Sequence, residues 1–497
     1  MDFASFKNTG KILLKDIPQH DFDRFRDVLA EAINLQNCRV GALFASTGKL
    51  YAILIDPAEK SFKAACTAIG NSYPALTPHI AAFHWFEREI FESDHIKPEG
   101  HPWLKPIRFE NAPQPGVTDY FTLQGNAAHE VAVGPVHAGV IEPGHFRFQC
   151  MGEDVYFLEI ELGYQHRGIE KMLLTAPAKR HTHLIETAAG DSSIAYALAY
   201  DGMAAALAQQ PRSKLPERAQ ILRTLALELE RIANHVGDIG ALAGDVAFLT
   251  SSAYCGRIRG DFLNMTAMLC GNRFGRNYVT YNGVAFDLGN NKLPFLRDWF
   301  ERTVADFKNA WQLLADDPGV LDRFENTGTV APEVMRQIGA VGVAARAAGL
   351  DIDVRRDLGN IGVYDKLVWQ TGLKRSGDVI ARLKLRRREL RESIRMVRAL
   401  FTMLESNAAS AAWSEDAPAA DGNMIPEALA VTAVEAWRGE VVCCGLTGAD
   451  GKFKRIKLVD PSFHNWFALV LALRGEQISN FPICNKSFNL SYCGHDL

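Results

Sequence analysis

The sequence has 497 residues, of which 47% are hydrophobic and 23% charged, and a formal net charge of -4. Such a length favours two to four domains of about 100–200 residues each, and the composition is that of a globular chain with large hydrophobic cores. The slightly acidic balance gives no electrostatic argument for nucleic acid as a partner, so we expect none.

Membrane and redox signals are weak throughout the chain. No apolar run reaches the roughly 18 residues of a membrane span, and Asp201 interrupts the best alanine-rich candidate. The N-terminal residues lack the apolar stretch of a signal peptide. The nine cysteines are an odd number and form no C-x-x-C pair, which is typical of reduced thiols. We therefore expect a cytoplasmic protein with no transmembrane segment of its own, in which any contact with the cytoplasmic face of a membrane is peripheral or through partner subunits.

The first 110 residues predict a small α+β domain. Residues 22–35 carry apolar residues at helical spacing, and the apolar runs 40–44 and 51–55 are typical of strands. The turn-rich stretch 111–124 then predicts a linker.

Residues 125–497 predict a second, mainly helical domain. Strand-like segments fill 125–166, and helical periodicity dominates 168–405, where the patterns 219–242 and 379–404 are the longest. Such lengths favour a bundle of long helices.

The last part of this domain changes character. Residues 405–422, rich in Ala, Ser and Asp, predict a flexible insertion. Two apolar runs around a Gly-Ala-Asp-Gly turn then predict a β-hairpin. The fold class is therefore α+β: a small α+β domain, followed by a mainly helical domain with peripheral strands.

Two charged motifs lie in the first domain. Residues 84–90 read His-Trp-Phe-Glu-Arg-Glu-Ile, and residues 99–104 read Glu-Gly-His-Pro-Trp-Leu. Taken alone, this pattern is more typical of a charged surface helix than of a site. Together the motifs resemble the signature of the 30-kDa-type subunit of respiratory complex I, a domain that docks partner subunits and does no chemistry.

A turn rich in Gly and Pro carries two candidate acceptor-binding histidines, His137 and His145. The Gly-Pro and Pro-Gly pairs of residues 134–148 favour a tight turn, which can present both imidazoles at the mouth of a cleft. The segment is similar to a turn of the 49-kDa-type subunit of complex I, where a histidine binds the quinone head group, and His145 is the better match. The alternative is a surface histidine without a function.

The longest motif, residues 162–171, reads Leu-Gly-Tyr-Gln-His-Arg-Gly-Ile-Glu-Lys. A carboxylate beside a buried centre can relay protons, because burial raises its pKa. The alternative is a salt-bridge cluster in which Arg167 and Lys171 pair with Glu170. The motif resembles one shared by the large subunit of nickel–iron hydrogenases and the 49-kDa subunit of complex I, and this resemblance makes Glu170 the first candidate for a catalytic, proton-relaying residue.

The hydrogenase resemblance also implies two C-x-x-C pairs that hold nickel and iron, and this sequence has neither. Ala189 and Ser192 stand at the positions of the first pair, and Ser491 and Gly494 at those of the second. Nickel and iron need soft thiolate ligands here, which a methyl group, two hydroxyls and a hydrogen do not replace. We therefore expect this chain to bind no metal and no other cofactor, and to have no hydrogenase activity.

The polar residues around these four positions match the hydrogenase family better than the four positions themselves do. Arg438 matches an arginine that overhangs the metal, and Ser462 and Asn465 match a further segment. Glu186 stands where complex I has the tyrosine that holds the quinone, which departs from that pattern. With Asp191 it forms an acidic pair that suits proton transfer, so Glu186, Asp191 and Arg438 are catalytic candidates.

The resemblance covers nearly the whole chain, including the motifs 228–235 and 353–357. It implies a fused protein, with a 30-kDa-like domain at 1–110 and a hydrogenase large-subunit or 49-kDa-like domain at 125–497, from the energy-converting hydrogenase-related subset that lacks the nickel ligands. The expected partners are an iron–sulfur small subunit, which would carry the cluster, and ion-translocating membrane subunits.

Two functions fit this resemblance. In the first, the chain belongs to an oxidoreductase complex and passes electrons from the partner's cluster to a quinone or another acceptor, while Glu170, Asp191 and Arg438 couple protonation to ion movement. In the second, it is a non-catalytic coupling or scaffold subunit of the same complex.

Overall fold

The computed structural model of this protein describes residues 2–137, 141–209, 215–406, 411–413 and 424–497. Its strands are β1 Ala4–Phe6, β2 Gly10–Leu13, β3 Gln19–His20, β4 Arg39–Ser46, β5 Lys49–Asp56, β6 Ser61–Ala68, β7 Ser72–Pro74, β8 Lys97–Glu99, β9 Ala128–Val133, β10 His145–Met151, β11 Asp154–Glu161, β12 Val279–Thr280, β13 Gly283–Val284, β14 Ala428–Glu435, β15 Glu440–Thr447 and β16 Phe453–Val459.

The helices account for most of the remaining regular structure, so the fold is α+β, as the sequence predicts. They are α1 Phe22–Asn34, α2 His84–Asp94, α3 Ile169–Thr175, α4 His181–Ile185, α5 Ser193–Leu207, α6 Glu217–Asp245, α7 Leu249–Cys270, α8 Leu293–Ala315, α9 Pro318–Phe324, α10 Pro332–Gln337, α11 Gly342–Ala347, α12 Val354–Asp357, α13 Val379–Ser406, α14 Pro461–Ala472, α15 Phe481–Phe488 and α16 Tyr492–Asp496.

A mixed sheet forms the core of the N-terminal region. Its strands follow the order β1-β6-β5-β4, and β3 pairs with β6 in parallel. Helix α1 covers this sheet with Phe25 and Leu29, both fully buried. The helix begins at Asp21, whose carboxylate accepts the N–H of Arg24 at 2.9 Å and so satisfies a free donor of the first turn. The predicted helix and the two predicted strands of this region are confirmed.

Long helices form the centre of the second region. Helix α6 has 29 residues and is about 44 Å long at 1.5 Å per residue; α7 and α13 pack along it. The alanine-rich helix α5 is buried on most sides, because it lies between α6 and the strands β14 and β15. The helical patterns at 219–242 and 379–404 thus correspond to α6 and α13.

A four-stranded sheet joins the two ends of the described chain. Strands β14, β15 and β16 are consecutive and antiparallel. The predicted hairpin consists of β15, β16 and the turn between them. The fourth strand is β2, which pairs antiparallel with β14 so that Leu13 lies opposite Ala428. Residues of the predicted first domain therefore complete a sheet of the predicted second domain, and the division at 110–125 remains a prediction.

A second small sheet stands beside the C-terminal helices. Strands β9, β10 and β11 form it in the order β11-β10-β9, as the strand-like pattern of 125–166 predicts. Of the predicted flexible insertion 405–422, residues 407–410 and 414–422 lie outside the described residues, as do 138–140 of the histidine turn.

Across the described ranges, the structure contains no helix with both the length and the apolar character of a membrane span.

Candidate functional site

Two loops bring an aspartate and an arginine together at the start of α5. Asp191 lies just before this helix, and Arg438 lies in the turn between β14 and β15. Two hydrogen bonds of 2.8 Å join the guanidinium to both carboxylate oxygens. Arg438 also donates to the carbonyl oxygen of Asn489 at 2.5 Å and lies 3.9 Å from the ring centre of Trp437. These contacts hold the guanidinium in one orientation.

The Asp191–Arg438 pair is charged and partly open to solvent. The Arg438 side chain is 6% exposed, whereas that of Asp191 is 32% exposed. Burial alone would raise the pKa of Asp191, but the positive charge and hydrogen bonds of Arg438 lower that pKa below its ordinary value. The carboxylate is therefore ionised at neutral pH, and part of it can be reached from outside.

The positions where thiolates are expected lie around this pair. The Ser192 hydroxyl donates to Asp191 at 3.2 Å, and the Ala189 carbonyl accepts the N–H of Ser192. Ser491 begins helix α16, where its hydroxyl accepts the N–H of Gly494 at 2.9 Å. The structure thus brings together the two ends of the sequence pattern, at 189–192 and at 491–494.

Asp460 lies in the space next to Gly494. A Cβ atom added at Gly494 would lie 2.5 Å from a carboxylate oxygen of Asp460. The carboxylate of Asp460 also accepts the hydroxyl of Tyr196 and the N–H of Ser462, each at 2.7 Å. The Ser462 hydroxyl in turn accepts the N–H of Ser491 at 2.8 Å. Asp460 is not among the site residues predicted from the sequence, although the Asp-Pro pair at the start of α14 is a recognisable helix-start signal.

The side chains at the four ligand positions do not fit a nickel–iron centre. They offer a methyl group, two hydroxyls and a hydrogen in place of four thiolates. Cys493 lies close by, with its sulfur 3.4 Å from the Ser491 hydroxyl, but burial raises the pKa of its thiol to about 12. Within the part of the chain that the structure describes, no group of three or more His, Cys, Asp or Glu side chains is arranged to hold a metal ion.

Two further carboxyls lie near the start of α5. Glu230 of α6 accepts the N–H of Ile194 at 2.8 Å, and burial and the nearby charge of Asp191 raise its pKa well above the ordinary value. Glu186 is buried and accepts the N–H of Asn277 at 2.7 Å, and burial raises its pKa to about 7. Glu186 is held by Asn277 and Asp191 by Arg438, so the two members of the predicted acidic pair have different partners. Burial favours the protonated form of Glu186 and Glu230, unlike Asp191. Glu230 lies within the motif 228–235, but its position near Asp191 could not be read from the sequence.

Glu170 belongs to a different group of charges. Its carboxylate accepts Lys457 Nζ at 3.1 Å and the N–H of Leu458 at 2.8 Å. Lys457 also pairs with Glu89, which in turn pairs with Arg108 of the N-terminal region. These contacts place Glu170 at the junction between the N-terminal region and β16. Its partners are Lys457 and Leu458 and not the Asp191–Arg438 pair, so its role as a proton relay stays a prediction.

The alternative interpretation, in which Arg167 and Lys171 pair with Glu170, is wrong. Arg167 donates to the backbone carbonyls of Thr187, Ala188 and Cys493, and Lys171 pairs with Glu110. Glu170 is paired with Lys457 instead, from a strand that follows about 290 residues later in the sequence.

The two candidate histidines lie at the ends of one turn. His137 Nε2 lies 2.9 Å from the carbonyl oxygen of Gly144, and His145 Nδ1 lies 3.4 Å from that of Gly134. Burial lowers the pKa of His145. Glu142, from the same turn, accepts the backbone N–H of Cys493 at 3.3 Å. Glu142 therefore lies against residues 492–493, between the two positions where the resemblance expects the second pair of metal ligands, and the binding of an acceptor by His137 and His145 stays a prediction.

One protein family matches the second half of the chain. Residues 245–496, just over half of the sequence, match the family described as the 49-kDa subunit of the respiratory-chain NADH dehydrogenase.

Individual relatives match over longer stretches. Formate hydrogenlyase subunit 5 of Escherichia coli is 27% identical over 447 residues, which cover 84% of this chain and 76% of the relative. NADH-quinone oxidoreductase subunit 4 of Thermus thermophilus is 27% identical over 374 residues, which cover 70% of this chain and 88% of the relative.

A solved structure has the same fold. A chain of the membrane-bound sulfane sulfur reductase, described as an archaeal respiratory membrane complex, superposes with a TM-score of 0.66. The match covers 75% of this chain and 99% of that chain at 23% identity, a level at which it shows a shared fold.

Proposed function

Because this chain belongs to the family of the 49-kDa subunit of the respiratory-chain NADH dehydrogenase, we propose that it is the equivalent subunit of a membrane-associated, ion-translocating oxidoreductase complex. Electrons arrive from the cluster of an iron–sulfur partner subunit and pass to a quinone or another acceptor, and this transfer is coupled to proton movement. Relatives that are named as subunits of formate hydrogenlyase and of NADH-quinone oxidoreductase support this placement.

The observation that carries the proposal is the Asp191–Arg438 pair. It lies next to Ser192, one of the positions that the resemblance assigns to metal ligands in a hydrogenase, it is charged, and Asp191 is one-third exposed. A guanidinium there stabilises negative charge on a reduced acceptor, and an ionised carboxylate beside it takes up and returns protons. Glu230 serves as a proton supply, because burial and the nearby charge of Asp191 raise its pKa, and Glu186 near the start of α5 is a second candidate for this role.

We do not extend the proposal to nickel–iron hydrogenase activity or to a metal bound by this chain. The side chains at the four ligand positions supply no thiolate, and Asp460 fills the space beside Gly494. Electron transfer in this proposal relies on the partner's iron–sulfur cluster, and the acceptor is an exchangeable ligand, with His137 and His145 on the neighbouring turn.

A test of the proposal replaces Asp191 with Asn in the intact, purified complex. Asn keeps the shape of the side chain but removes both the charge and the proton acceptor. We expect the rate of acceptor reduction to fall roughly 100-fold, with the subunit composition of the complex unchanged. The matched control is Asp298→Asn, which removes the acidic partner of an exposed pair with Arg302 on α8 and leaves the rate unchanged.

The opposite outcome supports the second function. If Asp191→Asn leaves acceptor reduction and proton uptake at the rates of the unmodified complex, the site takes no part in turnover. The subunit would then act as a non-catalytic coupling element, for which the ion cluster of Glu170, Lys457 and Glu89 between the two regions is the natural mechanical link.

A further inference from the structure

The sequence motifs 228–235 and 353–357 meet in one buried cluster of charges in the second region, here called the ion core. Its members come from α6, α11, α12, α13 and the end of β14. Each of these side chains is at most 5% exposed. The ion core consists of Glu228, Arg231, Arg346, Asp353, Arg355, Glu389 and Glu435.

The members of the ion core contact one another directly. Arg346 binds Glu389 at 2.8 Å and Glu435 at 2.7 Å, so it bridges two carboxyls. Arg231 binds Glu389 at 2.9 Å. A second group continues from these residues, in which Arg355 binds Asp353 at 2.7 Å and Glu228 at 3.3 Å.

The charges of the ion core do not balance. Three guanidiniums face four carboxyls, and the charges that surround the core supply no surplus cation. Among these outer charges, Arg39 pairs with Glu440 and Asp357, Arg356 with Asp357 and Asp351, and Arg386 with Asp238. An unneutralised buried charge is costly, so one carboxyl of the core must hold a proton.

The contacts identify Glu435 as the carboxyl that holds the proton. Glu389 accepts hydrogen bonds from two guanidiniums, and Asp353 accepts three bonds from Arg355 alone. Among the described residues, Glu435 accepts from a single guanidinium, that of Arg346, and from the N–H of Val354 at 3.1 Å. Burial and the nearby charge of Asp353 raise the pKa of Glu435 to about 7.

Glu228 is the remaining carboxyl of the core. It contacts Arg355 at 3.3 Å and Arg231 at 3.6 Å, and it accepts the hydroxyl of Tyr364 at 2.6 Å. Glu228 is therefore surrounded by two guanidiniums and a hydroxyl, whereas Glu435 is hydrogen-bonded by one guanidinium.

His235 is the other titratable group that faces the core. Its Nε2 lies 3.4 Å from Glu389, but the ring also faces the guanidiniums of Arg231 and Arg386. None of the described residues offers a hydrogen-bond partner to its Nδ1. Burial lowers the pKa of His235 to about 4, so the imidazole stays neutral at pH 7.

We propose that the ion core is a proton-binding site, with one exchangeable proton on the carboxyl of Glu435. Uptake converts a carboxylate and one solvent proton into a carboxylic acid, and no other bond is made. A cavity of about 610 Å³ reaches the core from the surface and is lined by Arg355, Arg356, Tyr364 and Trp369. Exchange with solvent runs through this cavity, because Arg355 and Tyr364 both touch carboxyls of the core.

The proton on Glu435 acts on the proposed acceptor site, and this last link rests on the proposed function. Glu435 and Arg438 lie at the two ends of the same turn, and Trp437 between them contacts both Arg438 and His235. Loss of the proton from Glu435 adds a negative charge near the Asp191–Arg438 pair, and a negative charge at that pair favours uptake of the proton.

The test uses infrared spectroscopy on the full-length chain labelled with ¹³C at the glutamate carboxyls, at about pH 7. We expect the Glu435→Gln variant to lack one carboxylic-acid C=O band of the unmodified protein, a band that shifts in D₂O. The control Glu440→Gln, which removes a buried carboxyl outside the core that is paired with Arg39, keeps the band. The proposal is overturned if the Glu435→Gln variant keeps every carboxylic-acid band. It is also overturned if the unmodified protein shows an imidazolium signal that the His235→Gln variant lacks.

Thermal unfolding gives a second, independent measurement. Gln is a neutral replacement for a neutral acid of nearly the same shape, so the Glu435→Gln variant should unfold within about 2 °C of the unmodified protein. The Glu389→Gln variant removes the carboxylate that two guanidiniums share, so it should unfold at a temperature at least about 5 °C lower. A Glu435→Gln chain that fails to fold, or loses as much as Glu389→Gln, overturns the proposal. Neither measurement involves turnover, so both stand apart from the outcome for Asp191→Asn.

Discussion

At the scale of single residues, Asp460 organises the space where the sequence pattern lacks its metal ligands. Its carboxylate joins Tyr196 of α5, the start of α14 and the glycine of α16. The Tyr196 hydroxyl is its only side-chain donor among the described residues, and the ring of Tyr196 is buried. Each removal of a donor from a buried carboxylate leaves that charge less well compensated.

Replacement of Tyr196 by Phe tests this arrangement. The variant keeps the ring and removes the hydrogen bond to Asp460, so we expect the free energy of unfolding to fall by about 1.5–3 kcal/mol. Urea denaturation measures the change. Tyr156→Phe, at a tyrosine that is 51% exposed, is the matched control and should change stability by less than about 0.5 kcal/mol. Equal effects of the two substitutions would contradict the role given to Asp460.

At the scale of elements, the approach of α11 to the β14–β15 turn positions Arg438. Helix α11 begins at Gly342, which has a φ of +61°. A Cβ atom at this position would lie 1.9 Å from the carbonyl oxygen of Arg438. Only glycine lets the helix start this close to the turn, and the N–H of Val343 then donates to the same carbonyl at 3.3 Å.

Two glycine substitutions separate the effect of the close approach of α11 to Arg438 from the effect of the left-handed backbone conformation. Gly359 has a φ of +63° but open space around its Cα, so Gly359→Ala should cost only the roughly 1–2 kcal/mol of a left-handed residue. Gly342→Ala carries the same strain and a backbone clash, and we expect a loss of at least about 3 kcal/mol. Chemical denaturation of the two variants gives the comparison. Similar losses would show that the contact with Arg438 is not tight.

Local elements could be predicted well, and their long-range partners could not. The helices α6 and α13 follow from apolar residues repeated at the helical period over more than twenty positions. The strand β2 has four residues and finds its partner β14 more than four hundred residues later. No local pattern records such a pairing, because register is set by the packed sheet and not by either strand alone.

The same limit applies to the candidate site. The resemblance predicts Arg438 as a site residue, and an acidic pair with Glu186 predicts Asp191, but the bidentate pair of Asp191 and Arg438 requires the loops before α5 and after β14 to meet. Glu170 was recognised as a relay, and the structure instead gives it Lys457 as a partner. The choice of charged partners depends on which elements pack together, and that information lies in the tertiary structure.

At the scale of the whole molecule, a group of buried histidines lies where the N-terminal region meets the C-terminal helices. His84 of α2 packs near Trp85, which contacts the ring of His495 from α16. His464 of α14 lies against Phe86. Burial lowers the pKa of each of these three histidines, and that of His464 falls to about 4.

This interface should be sensitive to acid. A histidine with a lowered folded-state pKa binds its proton more readily in the unfolded chain, so stability is lost as the pH falls below about 6.5. For His464 alone we expect a loss of about 2 kcal/mol between about pH 7.5 and about pH 5. The His464→Leu variant lacks this term, so its unfolding free energy should fall by that much less over the same range. Parallel pH profiles of the two proteins would contradict the expectation.

The pairing of β2 with β14 sets an order of events during synthesis. The ribosome makes β2 near the start of the chain, and at about 5–20 residues per second the roughly 400 intervening residues take on the order of 20–80 seconds to appear. Throughout that interval the backbone donors of β2 have no native partner. The nascent N-terminal region therefore exposes an unpaired strand edge, which is a natural binding site for a chaperone that recognises extended peptides. Strand β2 can form its native hydrogen bonds only after translation has passed β14.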